Sequence, residues 1–345
     1  MEQRRLGRTD LTVSAVCLGT MTFGKQNTEA EGHAQMDLAL ERGINFLDTA
    51  EMYAVPPSAE TYGRTEEIIG SWMAGRRNRD KVILATKIMG RPNGGFGWVR
   101  GGRNRLDRHN IIPAVEDSLR RLKTDYIDLY QIHWPDRPVA AFGRPSPAGD
   151  DPGVPIPETL AVLADLVNQG KIRHIGVSNE TAWGVMSWLA AAEMVGLPRI
   201  VSIQNAYNLL NRTFEDALAE VALQEQVGLL AYSPMAGGTL SGKYLGGVVP
   251  AGSRRAIDPR PSRYDRPRGT AATAAYVDIA RRHGLDPAQM ALAWVHRRPF
   301  VTATIVGATS ASLLARDLDA FDLVLSDEVL AEIEQVHRAN PSPCP

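Results

Sequence analysis

The 345-residue chain is predicted to fold as a (β/α)8 TIM barrel with an N-terminal β-hairpin and extra C-terminal helices. Three observations carry that prediction. Eight short apolar runs end in polar residues, and each is followed by helical periodicity. The runs end near positions 19, 48, 86, 132, 177, 204, 232 and 306, so most gaps are 27–46 residues, the length of one βα unit. Hydrophobic residues make up 44% and charged residues 22%, enough apolar material for a large core. Length alone, at about 150 residues per domain, suggests two domains. The regular beat of eight units predicts one domain over 1–345 instead.

The elements follow in order. Residues 4–13 read as a hairpin about a polar turn, placed to plug the barrel's N-terminal mouth. The strands are expected at 15–19, 44–48, 82–87, 126–133, 172–177, 200–204, 228–232 and 302–306. Helices are expected at 29–42, where Ala34, Leu38 and Ala39 share a face, and at 65–74, 110–122, 157–169, 181–192, 213–226 and 310–320. The last gap, about 74 residues, holds two further helices at 269–283 and 287–297, and an amphipathic helix at 325–338 follows the eighth unit. Three long connections, 88–109, 134–157 and 233–268, all leave strand ends and belong on the C-terminal face. A doubly wound sheet would show a glycine-rich first turn. The first strand ends instead in Leu18-Gly19-Thr20-Met21-Thr22-Phe23-Gly24, and no G-x-G-x-x-G string occurs in the chain.

Composition excludes several function classes. Lys+Arg is 38 and Asp+Glu is 39, a net charge of −1, which argues against a broadly basic nucleic-acid binder. The two cysteines, Cys17 and Cys344, make neither a disulfide framework nor a zinc site. No leader-like segment follows Met1 and no apolar run approaches the ~18 residues of a membrane span, so a cytoplasmic protein without a membrane partner is expected. The seven histidines, 33, 109, 133, 174, 283, 296 and 337, lack metal-ligand spacing, and no metal is expected.

In a barrel of this kind chemistry sits at the C-terminal strand ends. The second strand ends in Asp48, the third in Lys87 and the fourth in His133, with Tyr53 five residues beyond Asp48. Taken singly these are a turn former, a solvated charge, a packed imidazole and a surface ring. Together they make an acid/base device. A phenol with an ordinary pKa near 10 is a poor proton donor at neutral pH. A nearby ammonium lowers that pKa, and Asp48 would partner the buried Lys87. His133 would then orient a carbonyl oxygen, and a proton delivered to that oxygen implies hydride delivered to its carbon.

This set, Asp48, Tyr53, Lys87 and His133, resembles the tetrad of the aldo-keto reductase superfamily. Residues 18–24 (LGTMTFG), 48–53, 128–135 (DLYQIHWP), 170–181 (GKIRHIGVSNET) and 241–244 (SGKY) match that family's patterns. Residues 203–212 (IQNAYNLLNR), 274–293 and 325–338 are similar to its bacterial Tas-like branch. The resemblance covers the whole chain. It implies reduction of an aldehyde or ketone by NADPH, with NADH as an alternative and a small-molecule carbonyl compound as substrate. It also implies that the dinucleotide lies across strand ends, which accounts for the missing glycine motif.

By the same resemblance Gly19, Thr20, Met21 and Asp48 border the cofactor. Ser178, Asn179 and Gln204 would hold the nicotinamide amide, and Tyr232 would stack on its ring. Ser233, Pro234, Met235, Gly237, Leu240, Gly242 and Lys243 would line the pyrophosphate. Gly307, Ala308, Thr309 and Ser310 open the last barrel helix, where a helix N-terminus suits a phosphate. The positions facing the 2′-phosphate are Leu313, Arg316 and Asp317, where NADPH-preferring members commonly carry Gln or Arg and then Glu-Asn. Tyr53, His133 and Trp134 would face the substrate, with Trp98 nearby. Arginines 91, 100, 103, 105 and 108 either favour an anionic substrate or are simply solvated. The family also resembles potassium-channel β-subunits, so a cofactor-binding regulatory or redox-sensing subunit is the alternative function. Oligomeric state is not legible.

Overall fold

Leucine, isoleucine and valine dominate eight strands that close on themselves, every one parallel to its neighbours. The computed structural model describes residues 1–92, 96–145, 151–258 and 260–345. Strands β1 (Gln3–Arg5) and β2 (Thr12–Ser14) pair antiparallel, Gln3 opposite Ser14. The barrel strands are β3 (Val16–Gly19), β4 (Phe46–Asp48), β5 (Ile83–Ile88), β6 (Ile127–Ile132), β7 (Ile172–Ser178), β8 (Ile200–Ala206), β9 (Gly228–Tyr232) and β10 (Val301–Val306), with β10 closing onto β3.

The barrel interior is filled by Cys17, Phe46, Ile83, Ala85, Leu129, Leu230, Ala303 and Ile305, and Leu6 and Val13 of the hairpin join this cluster. Arg4 donates to the carbonyl of Val301, the first residue of β10, at 2.8 Å. The hairpin therefore plugs the N-terminal mouth, as its sequence predicts, and leaves the opposite face for chemistry.

Outside the strands lie α1 (Glu29–Glu41), α2 (Arg64–Arg76), α3 (Arg108–Leu122), α4 (Ile156–Asn168), α5 (Ala182–Val195), α6 (Leu218–Gln224), the single turn α7 (Arg254–Ile257), α8 (Pro267–Arg282), α9 (Pro287–His296), α10 (Ala311–Leu318) and α11 (Asp327–Ala339). Their starts are written in capping residues. Thr28 and Glu31 form a reciprocal capping box on α1, and Asp107, Thr181, Asp286, Ser310 and Ser326 each accept a backbone N–H of their helix. Strand bounds shift from expectation by a residue or two. The helix expected over 213–226 divides instead into a 3-10 turn, Thr213–Glu215, and α6. Asn211 accepts from the Thr213 hydroxyl at 2.8 Å and Arg212 chelates Glu215, so side chains hold the first turn apart from the helix. Both cysteines are buried and unbridged. No helix among the described residues is long and apolar enough to cross a membrane.

Candidate active site

Strand register brings the predicted groups to one level. Gly19 lies beside Asp48, Asp48 beside Ala85, Lys87 beside Gln131, and Ser178 beside Gln204. The Lys87 ammonium is fully buried; it donates to Asp48 Oδ2 and to the Thr49 carbonyl, each at 2.7 Å. The other Asp48 oxygen accepts from Gln204 Nε2 at 2.8 Å and Gln131 Nε2 at 3.1 Å, so its charge is fully engaged. The Tyr53 ring sits with its centroid 5.1 Å from Lys87 Nζ and 5.8 Å, edge to face, from the His133 ring. His133 is buried and in turn packs 4.9 Å from the Trp134 ring. The four groups of the expected tetrad are brought together.

Their electrostatics correct one expectation. Burial pushes the Tyr53 hydroxyl above the ordinary phenol value, and although Lys87 pulls it down, burial wins. Tyr53 therefore keeps its proton at neutral pH rather than moving toward phenolate. Burial disfavours the Lys87 charge, but Asp48 and Tyr53 outweigh it and hold the ammonium above its usual range. Burial, with Lys87 second, pushes His133 well below its usual value, so the imidazole is neutral at pH 7. Its Nδ1 is buried without a protein partner among the described residues.

The residues expected to hold a dinucleotide fall into two groups. One is already woven into the strand ends. Thr20 donates to the Asp48 carbonyl at 2.8 Å, and Ser178 donates to the Gln204 carbonyl at 2.6 Å. Asn179, at φ 52°, donates to the His133 carbonyl and accepts from the Tyr232 hydroxyl at 2.7 Å. The other group is a cradle. Ser233, Pro234 and Met235 lead into a turn at Ala236–Ser241, where Gly237 and Gly238 adopt φ 64° and 88°. Gly238 is held at φ 88°, a backbone that side chains rarely adopt, and a Cβ there would lie 3.1 Å from the ammonium of the exposed Lys243. Gly307, after β10, must be glycine for another reason, since a Cβ there would meet the Gly19 carbonyl oxygen at 2.7 Å. Thr309 is exposed, Met21 is half-buried and Ser310 caps α10 through the N–H of Leu313 at 3.2 Å. Glycines at positive φ, the exposed Lys243 and a capped helix N-terminus fit the phosphates of a dinucleotide.

Three expected contacts need correction. Asp317 is fully buried inside α10 and bonded to Arg316 at 3.1 Å, so its carboxylate faces the interior and not a nucleotide. Burial pushes its pKa up. The Leu240 and Ala308 side chains are buried, which leaves only their backbone for a ligand. Four of the five loop arginines are paired: Arg91 with Asp151, Arg100 with Glu51, Arg105 with Asp136, and Arg108 with Asp165. Arg103 is exposed and makes no ion pair among the described residues. Trp98 packs on Tyr62 and Phe96, and Trp134 donates its indole N–H to the Arg91 carbonyl at 2.9 Å. Parts of the three long loops, 93–95, 146–150 and 259, lie outside the described residues.

Sequence reasoning missed Gln131 and Arg263. Gln131 is two residues before His133 on the same strand face, a buried polar residue in an apolar run, and that alternation was a usable signal. Arg263, whose guanidinium reaches the Tyr232 hydroxyl at 3.3 Å, comes from an irregular loop and left no such signal. Among the described residues one trio could ligate a metal: His283, Glu328 and Glu332 on the outer helices. Glu332 is already taken by Arg282 and His283, so the trio reads as an ion-pair cluster.

Residues 15–338 match the aldo/keto reductase family model. The chain is 52% identical to Protein tas of Escherichia coli over the full length of both chains. It is 36% identical to the uncharacterized oxidoreductase YrpG of Bacillus subtilis, covering 97% of this chain and 96% of that one. A probable voltage-gated potassium channel subunit beta from Oryza sativa is 31% identical over 99% and 98% of the two chains. With barrel, strand-end cluster and family model in agreement, the chain belongs to the aldo/keto reductase family, in its Tas-like branch.

Proposed function

We propose that this protein is an NADPH-dependent reductase of aldehydes or ketones, one barrel domain acting in the cytoplasm, with Tyr53 as proton donor. The observation that carries the reading is Lys87, fully buried between the Asp48 carboxylate and the Tyr53 ring. Asp48 and the Thr49 carbonyl offset the cost of burying that charge, and a buried ammonium beside a phenol in a strand-end cluster is the arrangement of an acid/base site.

The strand-end residues would hold a reduced nicotinamide, which when bound would supply the hydride for the carbonyl carbon. The chain's own residues do the rest. Neutral His133 donates one ring N–H to the carbonyl oxygen and fixes its direction. Tyr53, still protonated at neutral pH, delivers the proton to that oxygen as charge develops. Lys87 stabilises the phenolate left behind, and Asp48, held by Gln131 and Gln204, keeps Lys87 aimed. Tyr232, Ser178, Asn179 and Gln204 would border the nicotinamide, with Gly237, Gly242, Lys243 and the α10 N-terminus along the phosphates. Arg316, half-exposed, is the cation available for a 2′-phosphate, which favours NADPH over NADH.

Tyr53→Phe should lose about 10²–10⁴-fold in turnover of an aromatic aldehyde. NADPH binding, read by fluorescence titration, should be unchanged and tighter than NADH binding. Reduction by the variant at the parent rate would refute the proton-donor role. Tight cofactor retention by the parent with no turnover of any aldehyde would favour the regulatory reading.

A further inference from the structure

Arg91, Arg100, Arg105 and Arg108 of the 88–109 loop are spoken for by carboxylates and Arg103 is exposed to solvent, but Arg263 is half-buried and unpaired among the described residues. It lies in the segment 233–268, which carries one lysine and six arginines against Asp258 and Asp265, a local excess of positive charge in a chain of net charge −1. Among the described residues Arg263 has no carboxylate within ion-pair distance. Its guanidinium is half-buried over three rings instead, 5.9 Å from the Phe142 centroid, 6.0 Å from Tyr232 and 5.8 Å from Tyr264. Its hydrogen bond there is one 3.3 Å contact to the Tyr232 hydroxyl. Its stem is seated on Gly143, where a Cβ would fall 2.9 Å from that of Arg263. A planar guanidinium has five N–H donors, and aromatic faces satisfy its charge only partly.

The rings locate it. Tyr53 meets His133, His133 meets Trp134, Trp134 meets Phe142 edge-on at 5.9 Å, and Phe142 lies under Arg263. One continuous aromatic wall runs from the reacting hydroxyl to the guanidinium. We propose that Arg263 is a substrate-anion site: it takes the carboxylate of a carbonyl compound whose reducible group lies at Tyr53 and His133, its linking carbons lying along the wall. The inference rests on the reductase reading for the placement of that carbonyl. A carboxylate would gain the bidentate contact that arginine offers and lysine does not. A cofactor phosphate is the other anion such a group takes, but Arg263 lies over Phe142, which packs on the substrate-facing Trp134.

The test is calorimetric titration of 4-carboxybenzaldehyde and of its uncharged methyl ester into the full-length protein, with and without saturating NADP+. The oxidised cofactor permits binding without turnover. The parent should bind the carboxylate at least about tenfold tighter than the ester. Arg263→Gln should lose that preference with ester affinity and NADP+ affinity unchanged, and Arg263→Lys should keep part of it. A parent that does not discriminate the two, or a variant that loses both equally, overturns the proposal. A loss of NADP+ affinity instead assigns the guanidinium to the cofactor and also overturns it. Aldehyde reduction by the parent is assayed in parallel. Carboxylate preference without turnover sinks the reductase reading alone, and turnover without preference sinks the anion site alone.

Discussion

Glu51 sits two residues before Tyr53, fully buried, with four donors on its two oxygens. Arg100 makes both arms of a bidentate pair at 2.6 and 2.9 Å, Met89 N–H adds one bond at 2.9 Å and the Tyr62 hydroxyl another at 2.8 Å. Its own N–H donates to the Lys87 carbonyl at 3.1 Å. The pair thus ties the loop after β5 to the segment that carries Tyr53. Removing one partner strands the other charge in the interior, so Glu51→Ala should cost about 3–5 kcal/mol, while Glu51→Gln should cost less. Urea unfolding reads the difference, and a loss below about 1 kcal/mol would show that the pair does not hold the loop. At this scale the sequence was legible where an ionisable residue ended an apolar run, as at Asp48, Lys87 and His133. It was silent about Arg100 as the partner of Glu51, because 49 residues and an irregular loop separate them. It also misjudged the balance on Tyr53, since a sequence names the ammonium but not the depth of burial that outweighs it.

Helices were readable from apolar periodicity, as in the shared face of Ala34, Leu38 and Ala39 on α1. The structure adds the caps that fix their starts, Thr28 with Glu31 on α1, Asp107 on α3 and Ser310 on α10. The break before α6 was not readable, since it comes from tertiary and side-chain bonding around Arg212 and Asn211. Helix α2 offers a paired test of propensity against packing. At Gly75 an added Cβ meets nothing within 4 Å, whereas at Gly70 it would lie 2.2 Å from the Arg121 carbonyl oxygen at the end of α3. Alanine is favoured over glycine inside a helix by up to about 1 kcal/mol. Gly75→Ala should therefore stabilise by about 0.5–1 kcal/mol. Gly70→Ala must push α2 off α3 and should destabilise by about 1–3 kcal/mol despite the same propensity gain. Equal shifts in the two urea midpoints would show that this interface yields freely.

The barrel as a whole was legible from the spacing of its strands, because each βα unit must return to the sheet at a near-constant length. Its response to acid was not, because burial belongs to the assembled molecule. His133, His174, His296 and His337 are all pushed below their ordinary value, burial being the largest cause each time. In the unfolded chain they titrate near 6.5. As pH falls through that value the unfolded state takes up protons that the folded state refuses, so stability must fall with pH. Asp317 runs the other way, since its raised pKa lets the folded state bind a proton earlier, but it is one group against four. Carboxylates held low, Glu29 by the Ser71 hydroxyl and then Arg64, Asp37 by Arg76, contribute only below about pH 4–5, where their unfolded counterparts protonate. Urea unfolding should therefore show lower stability at pH 5.5 than at pH 7.5. His133→Asn should flatten that slope by up to one proton, about 1.4 kcal/mol per pH unit. A stability that is level or rises toward pH 5.5 would mean that these imidazoles accept protons in the folded barrel, and the neutral His133 that the proposed mechanism requires would fall with it.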